Sequence, residues 1–150
     1  MNTVDAAVLL EVESIKCLKA RYFRAMDTKD WDLLAFCFTE DLEADFRAGP
    51  GMLANGRETY ISQLRQILAD AVTIHHGHMP EIALLDNGEA TGIWAMEDIV
   101  ILPGLTLQGW GHYHERYRKE EGAWRISHTR LSRLRLIQNG TEVTLDDSLT

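Results

Sequence analysis

From Thr73 to Ile137 the chain reads as four long extended segments with very short joints. The segments are Thr73 to Leu85, Glu89 to Leu102, Leu105 to Lys119 and Trp124 to Ile137. The joints are Asp86-Asn87-Gly88, Pro103-Gly104 and Glu120-Glu121-Gly122. A parallel crossover needs a dozen or more residues, so each strand must turn back on the one before it as an antiparallel hairpin. Asn139-Gly140 marks another turn, and Thr141 to Leu145 is a candidate edge strand.

The first third follows a different period. Val8, Val12, Ile15, Leu18, Tyr22 and Met26 recur every three or four residues, which is one face of a long helix. Asp27-Thr28-Lys29-Asp30 interrupts it. Asp30 is placed to cap a short helix carrying Trp31, Leu34 and Phe38. Leu42 to Arg47 reads as a strand, and Gly49 to Gly56 as a loop or hairpin. Arg57 to Ala69 returns to helical period, with Tyr60, Ile61, Leu64, Ile67 and Leu68 inward. Helices followed by a long antiparallel meander predict an α+β fold over a single domain, 1–150. A curved sheet wrapped around helices makes a cone-shaped barrel with room for a small apolar ligand.

Composition removes several function classes. Lys and Arg number 15 against 23 Asp and Glu, a formal charge of −8 that argues against general nucleic-acid or anionic-membrane binding. The two cysteines, Cys17 and Cys37, form no CxxC or zinc pattern and are expected as buried free thiols in a reducing compartment. The segment Met1 to Leu10 carries Asp5 and no basic n-region, and no apolar run approaches about 18 residues. A cytoplasmic protein with no membrane partner is the expectation.

The six histidines are a mild excess. On a strand, alternate residues share a face. His75 therefore opposes His76 and His78, while His112 and His114 share one face. Two His-x-His pairs are a spacing that metal sites use. Here Glu115 follows His114 directly and points away from it, so no metal centre is expected. Asp27, at the first helix end, is a helix-ending carboxylate by pattern alone. Tyr22, on the apolar helix face, is by pattern a core tyrosine.

Four runs in order carry a resemblance: Tyr22 to Asp32, Thr73 to Ile82, Ala90 to Trp94 and Tyr117 to Ile126. The chain resembles a SnoaL-like domain of the nuclear-transport-factor-2-like (NTF2-like) superfamily, on the branch of scytalone dehydratase and the bile acid 7α-dehydratases. The resemblance extends from about Val8 to Ile137. It implies N-terminal helices on a curved, mostly antiparallel sheet around a deep apolar pocket. It implies an Asp–His pair at Asp27 and His75, an active-site tyrosine at Tyr22 and an arginine at Arg133. No metal and no organic cofactor are implied. A homo-oligomer is, with a trimer packed through the outer sheet face favoured and a dimer the alternative.

The chain departs from those dehydratases at several positions. Met26 stands where scytalone dehydratase has a tyrosine, and Phe46 where both branches have one. Trp94 replaces a pocket histidine, and Gly111 and Tyr113 replace a Ser/Asn pair. Phe46, Trp94 and Tyr113 are thus expected pocket walls, and the substrate a flatter, more apolar molecule, aromatic or steroid-like. Strand parity adds Gly77 and Met79 to the inward face of His75. It also puts Met96 and Asp98 beside Trp94, and Gly111, Glu115 and Tyr117 beside Tyr113. His76, His78, His112 and His114 then face outward, and His128 has no assignment. The expected activity is cofactor-independent dehydration of a small hydroxy-carbonyl compound. An isomerase or cyclase, or a plain ligand-binding domain, is the alternative.

Overall fold

A computed structural model of the chain describes residues 6–48 and 52–145. The first helix, α1 (Ala6–Thr28), is followed by α2 (Trp31–Phe36), β1 (Phe38–Asp45), β2 (Leu53–Asn55) and α3 (Arg57–Leu68). The meander then runs as β3 (Val72–Leu84), β4 (Glu89–Leu102), β5 (Leu105–Glu120), β6 (Ala123–Gln138) and β7 (Thr141–Glu142). The strands form one sheet in the order β2-β1-β6-β5-β4-β3, with β7 added on β6. Every pairing is antiparallel except β1 with β6.

The expected elements are present, with shifts at their ends. Phe38 opens β1 rather than riding on α2, and its side chain is fully buried. The last strand stops at Glu142, short of Leu145. Residues 49–51 of the expected loop lie outside those described. Of the two cysteines only Cys37 is buried, and burial pushes its thiol up to about 11. Cys17 is exposed because it lies off the apolar stripe of α1.

The end of α1 is built by its backbone. Lys29 adopts a left-handed φ of 60°, the N–H of Asp30 reaches Ala25 O at 2.9 Å, and that of Lys29 reaches Met26 O at 3.3 Å. This is the Schellman closure, normally made with glycine, and a lysine there costs roughly 1–2 kcal/mol. The chain thereby turns straight into α2, whose N-cap Asp30 accepts from Leu33 N at 3.1 Å.

The concave sheet face closes on the inner stripe of α1. Ile15, Leu18, Tyr22, Ala25 and Met26 are buried there. So is Lys19, which falls on the same stripe and has no exposed surface. Its ammonium donates to Glu115 Oε1 at 2.5 Å. Glu115 also accepts from the Tyr117 hydroxyl at 2.5 Å and from Thr129 Oγ1 at 3.2 Å. Tyr117 in turn accepts from Trp94 Nε1 at 2.8 Å. The Lys19 ammonium lies 3.7 Å from the ring centroid of Tyr113 and 4.0 Å from that of Tyr22, so the cation is caged by aromatic faces. At the other end of α1, Glu11 accepts from Lys119 Nζ at 2.7 Å and from Trp124 Nε1 at 2.5 Å.

Two glycines permit close approach inside the barrel. A Cβ on Gly111 would lie 1.9 Å from Ser132 O, a backbone atom of β6. A Cβ on Gly77 would lie 2.6 Å from Phe23 Cε2. Gly111→Ala is expected to cost about 3 kcal/mol or more in urea unfolding, since the backbone it meets cannot move aside cheaply. Lys19→Met strands the buried Glu115 carboxylate and should cost about 3–5 kcal/mol. Adding Glu115→Gln should recover most of that loss, because no charge is then left unpaired.

Candidate active site

Asp27 sits in the last turn of α1, and His75 on the edge strand β3. A carboxylate at a helix C-terminus opposes the macrodipole and is locally unfavourable by about 0.3–1 kcal/mol. What offsets it is β3. The His75 Nδ1 lies 2.7 Å from Asp27 Oδ1, and the backbone N–H of His75 donates to Asp27 Oδ2 at 2.9 Å. Thr73, one position along the same face, donates its hydroxyl to Oδ1 at 2.9 Å. Lys29 wraps back to donate to Thr73 Oγ1 at 2.6 Å and to Met26 O at 3.2 Å. β3 has only β4 beside it, so Asp27 caps a backbone group at a sheet edge as well as holding the imidazole.

Burial works against the Asp27 charge, but the His75 ring, its backbone N–H and the Thr73 hydroxyl outweigh burial. The carboxyl is held below its ordinary value. Asp27 is therefore ionised at neutral pH and acts as an acceptor. With Nδ1 engaged by the carboxylate, His75 presents Nε2 as its remaining ring nitrogen. The ring stacks on Phe23 at 6.3 Å and 17°, which fixes its plane.

His75 lines an apolar cavity of about 160 Å³ between the sheet, α1 and α3. Tyr22, Phe46, Tyr113 and Arg133 line the same cavity, as do Tyr60 and Asp98. Five of the seven residues singled out in the sequence thus line one cavity, and Asp27 stands directly behind His75. Trp94 is the exception. It is buried in the sheet core with Met96, Tyr113 and Leu131, and its indole N–H is spent on Tyr117. Met79 also departs from its expected place. A β-bulge between His78 and Glu81 breaks the alternation, and Met79 is 93% exposed. Pro80, which has no N–H for a ladder, lies within the bulge.

The tyrosines act as donors, not bases. Burial raises Tyr22 and Tyr113 well above the ordinary phenol value, so both stay protonated. Tyr22 and Tyr60 both line the cavity, and burial keeps both phenols protonated. A protonated phenol on the wall can donate to a ligand oxygen. Tyr60, on α3, stacks on Phe46 at 5.6 Å and 11°.

On the far side of the cavity Arg133 forks onto Asp98, Nη1 to Oδ1 at 2.5 Å and Nη2 to Oδ2 at 2.8 Å. Gly109 makes room for it, since a Cβ there would sit 2.1 Å from Arg133 Nη1. Asp98 is the cross-strand partner of His75 in the β3–β4 register, so the two side chains share a face. Arg133 and Asp98 were each legible alone, but their pairing was not. Lys19 and Thr73 join the site without a sequence assignment, and Tyr60 reads from sequence only as an inward-facing residue of its helix. Lys19 had a signal, since it falls on the stripe Ile15, Leu18, Tyr22, Met26 as its only charged member.

The outward histidines are exposed at His76 and His78 and half-buried at His112, His114 and His128. His114 Nε2 lies 3.0 Å from Ser132 Oγ. No helix among the described residues is long and apolar enough to cross a membrane.

Comparison with known structures gives the same fold. A candidate scytalone dehydratase from Novosphingobium aromaticivorans DSM 12444 superposes with a TM-score of 0.75 at 23% identity, over 91% of each chain. The hexachlorocyclohexane dehydrochlorinase LinA-type3 from Novosphingobium barchaimii LL02 gives 0.77 at 16% identity, over 93% of this chain and 98% of that one. A protein of unknown function from Mycobacterium tuberculosis gives 0.76 at 28% identity, over 91% of this chain and 79% of that one. The family model for the SnoaL-like domain matches residues 7–130. The chain belongs to the SnoaL-like domain family and has the NTF2-like fold.

Proposed function

We propose that the chain is a cofactor-independent lyase that removes water from a small hydroxy-carbonyl compound. The observation that carries this reading is the 2.7 Å contact between Asp27 Oδ1 and His75 Nδ1 at the wall of an apolar cavity. In that geometry Nδ1–H donates to the carboxylate, and the Nε2 lone pair is the base.

Nε2 takes a proton from the carbon next to the substrate carbonyl. Asp27 stabilises the imidazolium that forms, and the C–H electrons move onto the carbonyl oxygen. The Tyr22 phenol, with Tyr60 beside it on the cavity lining, donates to the developing oxyanion. The electrons then return, the bond from the β carbon to its hydroxyl oxygen breaks, and Nε2 gives its proton to the departing oxygen. The products are the conjugated enone and water, and His75 is neutral again. The apolar walls exclude bulk water and orient the ring. Two structural neighbours bear the names of a dehydratase and a dehydrochlorinase, both β-eliminations by name, which supports this reaction class.

With a turned-over substrate, His75→Ala should lower kcat by about 10²–10⁴-fold. Unchanged turnover would remove His75 from the mechanism. Mass spectrometry of the product separates elimination, which loses one water, from isomerisation or cyclisation, which leaves the mass unchanged.

Asp27 also gives a pH dependence with a fixed sign. Its folded-state value lies below the ordinary 3.8, so its ionisation contributes stability above about pH 3.8. That contribution is lost as the pH falls from there through the folded-state value. Urea unfolding followed down from pH 6 should show this acid limb in the wild type. In Asp27→Asn the limb should be shallower, and equal slopes would show that the carboxylate has no net partner.

A further inference from the structure

We infer that the cavity selects neutral substrates built on a single six-membered ring, and that it excludes fused-ring ketones, steroids and carboxylates. The inference rests on the dehydratase reading for the reaction, but not for the binding. Two observations carry it, the size of the cavity and the pairing of its charges.

The cavity measures about 160 Å³. An apolar protein cavity of roughly 150 Å³ accepts one benzene ring, whereas drug-sized ligands occupy pockets of roughly 300 Å³ and more. Toward the barrel interior its limits are set by packed side chains. Leu64, Leu131 and Tyr60 are buried on its walls, and Tyr60 is further braced by Phe46 and Phe38. A second fused ring would have to displace them, and close-packed interiors resist such shifts. A steroid-like substrate, one of the expectations from sequence, therefore does not fit wholly between these walls.

The cations around the site each have a carboxylate partner or are turned away, and Arg133 keeps one buried N–H, at Nε, without a partner. Arg133 is forked onto Asp98, and Lys19, behind the Tyr22 and Tyr113 rings, is held by Glu115. Asp27 adds a negative charge behind His75, and Lys29 is turned to Thr73 on the side of Asp27, off the cavity lining. Among the described residues, an entering carboxylate would meet neutral phenols, apolar walls and one buried N–H, Arg133 Nε, whose charge Asp98 already offsets, which is costly. A ketone oxygen needs only one donor, which the protonated phenols on the lining supply. The fitting substrate is a cyclohexanone with a hydroxyl on the β carbon, which elimination would convert to a cyclohexenone and water.

Ligand binding to the whole protein tests this without relying on turnover. The methyl groups of Met26 and Met52, both on the cavity wall, report occupancy by NMR. The probes are cyclohexanone, decalone, progesterone and cyclohexanecarboxylate. Cyclohexanone should shift both methyls saturably, and the other three should bind at least about tenfold more weakly. Leu131→Ala opens the wall and should strengthen decalone binding by at least about tenfold. Decalone or progesterone binding as tightly as cyclohexanone would overturn the size limit, as would no gain in Leu131→Ala. Equal binding of the carboxylate would overturn the charge argument. Failure of cyclohexanone to shift the methyls would overturn the proposal as a whole. β-Hydroxycyclohexanone separates the two readings. If it binds but is not dehydrated, the ligand class stands and the dehydratase reading fails. If a steroid is dehydrated instead, the reaction stands and the ligand class fails.

Discussion

The ion pair between Lys19 and Glu115 joins the first helix to the sheet from the inside. It has no exposure to solvent, and such a pair is a poor source of net stability against an apolar substitute. Its effect is on placement. Glu115 is held by Tyr117 and Thr129 as well, so Lys19 has one partner in one position. A helix buried only through Ile15, Leu18 and Met26 could slide by a turn at little cost, whereas a helix that must deliver an ammonium to Glu115 cannot. That register sets Tyr22, three residues on, against the cavity. It sets Asp27, eight residues on, against the edge of β3.

The site is assembled where two local rules are broken. A carboxylate ends a helix whose dipole disfavours it, and a lysine takes a left-handed position that usually goes to glycine. Both are offset by β3, through the imidazole, a backbone N–H and the Thr73 hydroxyl. Local unfavourable choices that only tertiary contacts repay are a mark of functional sites. His75 alone gives Asp27 two partners of different kinds. One is the His75 backbone, which ties the helix end to the sheet edge, and the other is the His75 ring.

Much of this was legible in the residues. The change from helical to alternating period gave the order of elements, and the three short joints gave the hairpins. Strand parity put His75, Asp98, Gly111, Tyr113 and Glu115 inward, as found. Parity failed at Met79, because a bulge adds a residue that no alternation reveals. Trp94 faced inward as expected, yet its indole was taken by Tyr117 from the neighbouring strand, a contact between residues 23 apart in sequence. The pairing of Asp98 with Arg133 was hidden for the same reason, being set by register across the sheet. Lys19 was legible as a charge on an apolar stripe, but its partner was not. The cavity volume lies in no single residue and is read only from the assembled fold.

The account depends on one proton. If Asp27 orients His75 as a base, the neutral imidazole must carry its hydrogen on Nδ1 and leave Nε2 bare. Nitrogen-15 NMR of the histidine rings at neutral pH reads the tautomer directly. The account predicts the Nδ1–H form for His75 in the wild type and a shift toward the Nε2–H form in Asp27→Asn. An Nε2–H tautomer in the wild type, or no change on removing the carboxylate, would contradict it.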